Sequence, residues 1–418
     1  MSRVSDRRAA SKGRSSSPRR RTTRGTPESP GSARVLIASD WAPIRAFDPI
    51  IRADPAAIYG DLLPILRDVD LRIVNCECAL TSAAKPVWKS GAVFKGEPAH
   101  VSGLTAVPFD VACLANNHVL DYGVAGLREH LRVLTRAGIR TVGAGLTEAQ
   151  ALVPLSLRVA GQAVHIVNIS EGEDLTASTG GPGVFGWDIP RAASLVRRLK
   201  ARGGVVIVIA HCGLEYVPFP PPYVVAAFRA LVDAGADCVV GHHPHVPQGI
   251  ESWRGRPIFY SLGNFVFYQA TDLFHRKWGY CVSLHCADNR VTGADIYPYR
   301  ITDAGLRRLD ATDAREFMRT MARLSRPFAT AAGPARAWNA WLVHYGDQGF
   351  RDEVLGILTR MAEEPRKGAA MFRNRLTTMQ HVGLWRAHLT RVMAGETRGY
   401  SQRDLALVEE YFSRKAGS

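Results

Sequence analysis

Short apolar runs recur along the chain and alternate with segments of helical spacing. Continuous apolar runs bounded by turn residues are typical of buried strands. On this basis we predict strands at residues 34–38, 71–74, 111–114, 140–142, 164–169, 205–210, 238–240 and 258–262. Residues 127–137 and 224–234 instead have the spacing of amphipathic helices. The alternation predicts an α/β protein with buried sheets.

The pattern changes after residue 267. Residues 279–286 and 290–299 predict a β-hairpin that turns at Asp288 and Asn289. From 303 to 418 the periodicity is helical, and we predict helices at 314–324, 350–361 and 402–412, with Pro365 and Gly368 ending the second. Residues 1–33 have almost no large apolar side chains, which predicts a disordered basic tail. The predicted organisation is a tail at 1–33, a folded domain at 34–302 and a helical extension at 303–418.

Charge adds a preference for anionic partners. The 418 residues carry a net charge of +15, and nine Lys and Arg residues lie within the first 33 positions. A basic field attracts nucleic acid, phosphates or carboxylate-rich peptides, although an arginine-rich composition explains the charge equally well. We expect a peptide or a polyanionic small molecule as the substrate, and we do not expect nucleic acid as a partner.

The cysteines bear on the cellular compartment. Their number, seven, is odd, and Cys113, Cys238 and Cys281 fall in strand-like contexts. We therefore expect reduced core thiols and a cytoplasmic protein. Cys76 and Cys78 could form a thiolate pair for a metal, but no second pair follows at zinc spacing. No apolar run reaches the length of a membrane span, and no apolar stretch follows the N-terminal arginines as a secretory signal requires.

Polar residues follow the carboxyl ends of separate predicted strands, where open α/β sheets bind their ligands. Carboxylate, amide and imidazole groups at these ends suit a divalent metal such as Mn, Ca, Mg, Fe or Zn. The candidate metal ligands are Asp40, Glu77, Asn117, His211, His243 and His245. Each has a structural alternative, such as a helix cap for Asp40 or a turn for Asn117. A metal site explains all of them together.

The same rim offers candidates for acid–base catalysis. His118 directly follows the candidate ligand Asn117 and could act as a general acid or base. Asp121 lies three residues further on and could orient that ring. His245 is a candidate both as a metal ligand and as a catalytic residue. Asn264 also follows a predicted strand and so belongs to the same predicted rim.

Five short motifs, in their order along the chain, resemble those of a known family, the CapA-type (PGA_cap) proteins. These proteins are relatives of the calcineurin-like metallophosphoesterases. The resemblance covers residues 34–300 and rests on residues 75–77 (Asn-Cys-Glu), 115–123 (Ala-Asn-Asn-His-Val-Leu-Asp-Tyr-Gly), 210–216 (Ala-His-Cys-Gly-Leu-Glu-Tyr), 241–246 (Gly-His-His-Pro-His-Val) and 260–265 (Tyr-Ser-Leu-Gly-Asn-Phe). It implies a four-layer α/β/β/α sandwich. It also implies one metal held by Asp40, Glu77 and His245, a second held by Glu77, Asn117, His211 and His243, and an acid–base role for His118.

The chain departs from the wider superfamily near its first ligand. The sequence Asp40-Trp41-Ala42 lacks the usual His two residues after the Asp, Ser39 replaces the usual Gly, and the bridging carboxylate is Glu77 rather than Asp. These departures weaken the case for ordinary phosphoester hydrolysis by two metals and make a single or harder metal a candidate.

The expected function is that of a metal-dependent CapA-like enzyme that modifies a peptide or polyglutamate-like substrate by His/Asp acid–base chemistry. Cα epimerisation of a ribosomal, lasso-type precursor peptide is one form of this hypothesis. The alternatives are a phosphoesterase, and a poly-γ-glutamate capsule biosynthesis protein or non-catalytic assembly factor. The lack of a recognisable membrane anchor speaks against the capsule role at this stage.

Overall fold

The computed structural model describes residues 32–172, 180–395 and 399–416. The tail predicted at 1–33 lies almost wholly outside these ranges, so its disorder stays a prediction. Within the described ranges, no helix has both the length and the apolar character needed to cross a membrane. All seven cysteines are free and buried, which confirms the prediction of reduced core thiols.

Strands and helices alternate over the first two thirds of the chain, as the hydrophobic pattern predicts. The strands are β1 (Ala33–Ala42), β2 (Leu71–Cys76), β3 (Ala79–Leu80), β4 (Lys95–Gly96), β5 (Val111–Cys113), β6 (Arg140–Val142), β7 (Ala144–Gly145), β8 (Leu155–Val159), β9 (Gln162–Ser170), β10 (Gly183–Val184), β11 (Val205–His211), β12 (Cys238–His242), β13 (Ile250–Trp253), β14 (Arg256–Phe259), β15 (Asn264–Phe267), β16 (Trp278–Ala287), β17 (Arg290–Thr302) and β18 (Gly305–Arg308). The helices are α1 (Phe47–Ala53), α2 (Leu63–Arg67), α3 (Val101–Ala106), α4 (Gly123–Arg136), α5 (Glu148–Ala151), α6 (Ile189–Ala201), α7 (Pro222–Asp233), α8 (Ala311–Ser325), α9 (Gly333–Glu363), α10 (Pro365–Thr377), α11 (Met379–Ala394) and α12 (Gln402–Ser413).

Two mixed sheets lie face to face between layers of helices. The first has the order β18-β17-β16-β1-β2-β5-β6, with β15 also pairing with β1, and the second has the order β13-β14-β12-β11-β9-β8. Because side chains alternate along a strand, Val35 and Ile207 point into one shared core between the sheets. Leu36 packs against the helices outside the first sheet, and Val206 packs against those outside the second. The predicted α/β/β/α sandwich is confirmed.

The C-terminal helices cover one end of the core between the sheets. Phe317 of α8, Trp341 of α9 and Tyr411 of α12 are buried in the same apolar cluster as the inner faces of both sheets. The prediction of a helical C-terminal region is therefore confirmed, while the boundary at 302/303 stays a prediction.

The details of this region differ from the sequence expectation. Helix α9 begins at Gly333, well before residue 350, and bends at Gly346, whose φ is 51°. Helix α9 ends at Glu363, two residues before Pro365, as predicted. Pro365 also starts α10, where a missing N–H costs nothing, and Gly368 lies inside α10 instead of marking an end.

Two turns, one at Gly263 and one at Asp288 and Asn289, set the direction of the strands that follow them. The strand expected at 258–262 ends at Phe259, and the chain turns at Gly263, whose φ is 76°. Strand β15 then pairs in parallel with β1, which sets Asn264 opposite Asp40. The predicted hairpin turn is confirmed, since Asp288 and Asn289 have φ values of 51° and 59°, as a type I′ turn requires.

Candidate metal centre

The carboxyl ends of strands from both sheets meet at one buried rim. Asp40 lies in β1, His211 ends β11, and the remaining candidates lie in the loops that follow β2, β5 and β12. All the predicted metal ligands are buried: Asp40, Glu77, Asn117, His211, His243 and His245.

A first group of potential ligands consists of Asp40, Glu77 and His245, whose donor atoms all lie within 4.8 Å of one another. His245 stands between the two carboxylates. Its Nδ1 is 3.4 Å from Oδ2 of Asp40, and its Nε2 is 3.6 Å from Oε1 of Glu77. One nitrogen and two carboxylates at these separations make a compact oxygen-rich site.

A second group shares Glu77 and adds His211 and His243. Nε2 of His211 is 3.5 Å from Oε1 of Glu77 and 2.9 Å from Oδ1 of Asn117. The His211 and His243 rings lie side by side, with their centroids 4.7 Å apart. Glu77 therefore connects the two groups, and Asn117 adds its amide oxygen to the second.

A third group joins Glu215 to His243 and His245. Glu215 is exposed, unlike the other two members of this group. Surrounding protein still removes water from around its carboxylate, which pushes the pKa of Glu215 upward, but the neighbouring imidazoles of His245 and His243 outweigh this effect and lower that pKa. No role for Glu215 was predicted from the sequence. The available signal was its position four residues after His211, in the loop that leaves β11.

Several donor atoms of this rim are buried and lack a hydrogen-bond partner among the described residues. They include Oδ2 of Asp40, both carboxylate oxygens of Glu77 and Nδ1 of His243. Buried polar atoms without partners are rare in folded proteins. Two carboxylates and several imidazoles that face one another in this way fit the donor set of a divalent cation.

The pKa values show how strongly the carboxylates need a positive partner. Burial, and then the charge of Asp40, raise the pKa of Glu77 well above its ordinary value. Burial would also raise the pKa of Asp40, but His245 and His242 outweigh it and lower that pKa. For His245 burial acts downward, yet Glu77 and Asp40 raise the pKa to about 10. Without a cation, one imidazole is thus driven to carry the positive charge of the site.

The other two imidazoles are kept in the neutral form that binds metals. Burial, and then the charge of His243, lower the pKa of His211 well below its ordinary value. Burial lowers the pKa of His243 to about 4.

A layer of side chains behind the candidate ligands fixes their orientation. The Asn75 amide nitrogen donates to Oδ1 of Asp40 at 2.8 Å and lies 3.1 Å from Nδ1 of His211. Oδ1 of Asn264 is 2.8 Å from Nδ1 of His245. His242 belongs to this layer too, since its Nδ1 is 3.1 Å from the Ser39 hydroxyl. Partners of this kind tune ligand basicity and are part of a metal site.

The loop after β12 holds its histidines in a strained backbone. His243 and His245 have φ values of 96° and 55°, which non-glycine residues rarely adopt. Strain of this kind persists where the surrounding structure imposes it, commonly at functional sites. Gly241 precedes them with no space for a side chain, because a Cβ there would collide with the Tyr260 carbonyl.

His118, the candidate acid–base residue, is held by a buried charged network. Its Nδ1 is 2.7 Å from Oδ2 of Asp121. The Lys89 ammonium donates to the other oxygen of Asp121 at 3.0 Å and to the Asn117 carbonyl at 2.7 Å. Burial acts upward on the pKa of Asp121, but His118 and Lys89 outweigh it and lower that pKa, which keeps the carboxylate ionised. Lys89 was not predicted from the sequence, since its loop carries no recognisable motif.

Two adjoining cavities lead to this rim. The first, about 430 Å³, is lined by Asn117, His118 and His245. The second, about 340 Å³, is lined by His243 and by residues of the C-terminal helices, among them Trp341. Gly91, Glu215 and Tyr216 line both cavities. The C-terminal helices therefore form part of the wall around the candidate site.

Comparisons with known proteins agree on one family. Residues 26–269 match the family model described as "Bacterial capsule synthesis protein PGA_cap". The chain is 37% identical over 207 residues to the "PGA biosynthesis protein CapA" of Bacillus subtilis, covering 49% of this chain and 54% of that protein. It is 30% identical over 291 residues to a "Probable polyglutamine synthesis accessory protein" of Mycobacterium tuberculosis, covering 65% of this chain and 77% of that protein.

The matched region thus spans about half the length of the Bacillus subtilis relative. Among solved structures, the chain is similar to the sulfate thiohydrolase SoxB of Thermus thermophilus, with a TM-score of 0.38 and 15% identity over 66% of this chain and 48% of that one.

Proposed function

Because the chain belongs to the PGA_cap family of bacterial capsule synthesis proteins, we propose that it is a metal-dependent enzyme acting on poly-γ-glutamate or a closely related acidic peptide. The buried groups that share Glu77 carry the metal part of this proposal. The names of the relatives favour the polyglutamate alternative over a lasso-type precursor peptide. They also outweigh the sequence argument against a capsule role.

The residues that would hold the metal are Asp40, Glu77, Asn117, His211, His243 and His245. A divalent metal supplies polarisation of a carbonyl oxygen and activation of water at neutral pH. The protein's part is to present fixed, partly unprotonated donors. The buried position of Glu77 between both groups makes it the residue on which binding depends most.

His118 is the proposed proton-transfer residue. Its Nδ1 is 2.7 Å from Asp121, which holds the ring in place, and we assign the proton exchange with substrate to its Nε2. Lys89 balances the charge of Asp121, so that the carboxylate orients the ring instead of taking up the proton. His118 lines the larger cavity, where a substrate has access to it.

Cleavage of an amide bond fits this arrangement better than epimerisation. Inversion at a Cα requires one group to remove a proton and a second group, on the opposite face, to return one. Apart from His118–Asp121, the His–Asp contacts of the site are those of His242 and His245 with Asp40. Asp40 is itself a proposed metal ligand, so these contacts do not provide a second proton-transfer pair. One acid–base residue beside a metal is sufficient for hydrolysis.

The test is to incubate the manganese-loaded protein with a γ-linked glutamate oligomer in deuterated water and to follow the products by mass spectrometry. We expect shorter oligomers from the wild type, none from His118→Gln, and wild-type products from Met318→Ala, a control on the exposed face of α8. Full-length oligomer carrying deuterium at Cα would show epimerisation instead. Turnover of an aryl phosphate with the oligomer left intact would show a phosphoesterase.

A further inference from the structure

The larger cavity contains an arginine that is not engaged in an ion pair. Arg276 lines the cavity together with Glu215, whose charge acts on the arginine, but among the described residues no carboxylate lies within ion-pair distance of its guanidinium. Its Nε is buried and has no hydrogen-bond partner among those residues. A guanidinium is a planar fork that matches a carboxylate, so an unpaired one in a cavity is suited to bind such a group.

Tyr216 fixes the position of this arginine. The Cζ atom of Arg276 lies 3.6 Å from the centroid of the Tyr216 ring, close enough for a cation–π contact. Tyr216 is itself held with a φ of 66°, a strained value for a tyrosine. Its ring centroid is 6.0 Å from that of His245, so the arginine stands close to the proposed metal ligands.

The same tyrosine also fixes a hydrogen-bond acceptor. Gln269 lines the cavity and donates its amide nitrogen to the Tyr216 hydroxyl at 3.1 Å. The carbonyl oxygen of Gln269, Oε1, is then left buried without a partner among the described residues. A free donor on Arg276 and a free acceptor on Gln269 are therefore anchored to a single ring.

We propose that Arg276 and Gln269 form a subsite that recognises a carboxylate and an N–H group attached to the same carbon. Arg276 binds the carboxylate, and Gln269 accepts the hydrogen bond from the N–H. In a γ-linked glutamate chain every unit carries a free α-carboxylate and an N–H on the same carbon, whereas in an α-linked chain every unit but the last has its free carboxylate only at the end of the side chain. The subsite therefore selects the γ linkage, an inference that rests on the proposed function.

The test compares γ-linked with α-linked tetraglutamate by titration calorimetry on the manganese-loaded protein. Both oligomers are amidated at the carboxyl group that ends the chain, so that their composition and charge are equal and no α-linked unit carries a carboxylate and an N–H on one carbon. We expect the wild type to bind the γ-linked oligomer about 10- to 100-fold more tightly, the range of a hydrogen bond to a charged group. Arg276→Gln and Gln269→Met should both remove this preference. Arg290→Gln is the control for the loss of one charge, since Arg290 is an exposed arginine at the start of β17 and does not line the cavity. It should keep the preference.

Equal affinity of the wild type for the two oligomers, or no binding of either, would overturn the subsite. So would a preference that survives in Arg276→Gln, or binding of phosphate compounds alone through Arg276. Turnover is scored separately. An oligomer that binds through Arg276 but is never converted contradicts the proposed reaction and leaves the subsite standing, while conversion with an unchanged KM in Arg276→Gln contradicts the subsite alone.

Discussion

Glu77→Gln should change the stability of the protein in opposite directions with and without metal. Both oxygens of Glu77 are buried and lack hydrogen-bond partners, and the nearby charge of Asp40 opposes its ionisation. Without metal, replacing this carboxylate by a neutral amide of the same shape removes an unfavourable buried group. With metal, the same substitution removes the ligand shared by two of the groups.

The size of the stability change can be estimated separately for the metal-free and the metal-bound protein. The Gln amide stays buried, so the substitution removes only the cost of the charge. The pKa of Glu77 is raised well above its ordinary value and one pKa unit corresponds to about 1.4 kcal/mol, but the attraction between Glu77 and His245 is lost as well. We therefore expect Glu77→Gln to raise the free energy of unfolding of the metal-free protein by about 1 kcal/mol. A ligand at about 100 times its Kd stabilises a folded protein by about 2.7 kcal/mol. Wild type should gain that increment from manganese, and Glu77→Gln should gain almost none.

Urea unfolding in EDTA and in excess manganese measures both values. The matched control is Glu251→Gln. Glu251 is also a buried glutamate, but it lies away from the metal rim and forms an ion pair with Arg229 at a distance of 2.7 Å. Breaking a buried pair costs about 3–5 kcal/mol, and this cost should be the same in both buffers. If Glu77→Gln destabilises the metal-free protein as Glu251→Gln does, the reasoning that burial and Asp40 make the Glu77 charge unfavourable is refuted.

Three further predictions concern the reaction and the fold. Asp121→Asn should lower kcat about 10²- to 10⁴-fold without reducing the metal content, and an equal loss of metal by elemental analysis would contradict its role beside His118. Removal of metal by EDTA should abolish conversion of the γ-linked oligomer and added manganese should restore it; activity that persists in a metal-free preparation would refute metal dependence. Phe317→Ala should lower the free energy of unfolding, measured in urea, by about 3–5 kcal/mol, because Phe317 is fully buried in the core between the sheets. Met318→Ala, on the exposed side of α8, should change it by no more than about 0.5 kcal/mol. Similar losses for both variants would contradict the packing of α8 on that core.

The central strands could be predicted from the sequence because burial on both faces produces continuous apolar runs. Residues 205–210, for example, correspond to β11, and the positions just past such strands identified Asp40 and His211 as rim residues. The parallel pairing of β15 with β1, which sets Asn264 opposite Asp40, depends on tertiary contacts and left no local signal.

The parts that the sequence did not reveal depend on contacts between distant segments. Lys89 reaches Asp121 across 32 positions, and Arg276 reaches Tyr216 from a separate turn. Pro365 was expected to mark the end of a helix, and α9 does end just before it. The start of α10 at the same proline was not predicted, because local preference alone does not show whether a new helix follows; the packing of α10 against α9 decides.

A crystal of the protein soaked in manganese and measured at the manganese absorption edge tests the central claim most directly. The account predicts an anomalous peak within contact distance of Glu77 and of ligands from at least one of the two groups, Asp40 with His245 or His211 with His243. The peak should be absent from crystals of Glu77→Gln. A well-ordered wild-type crystal in saturating manganese with no anomalous peak at this rim would contradict the account.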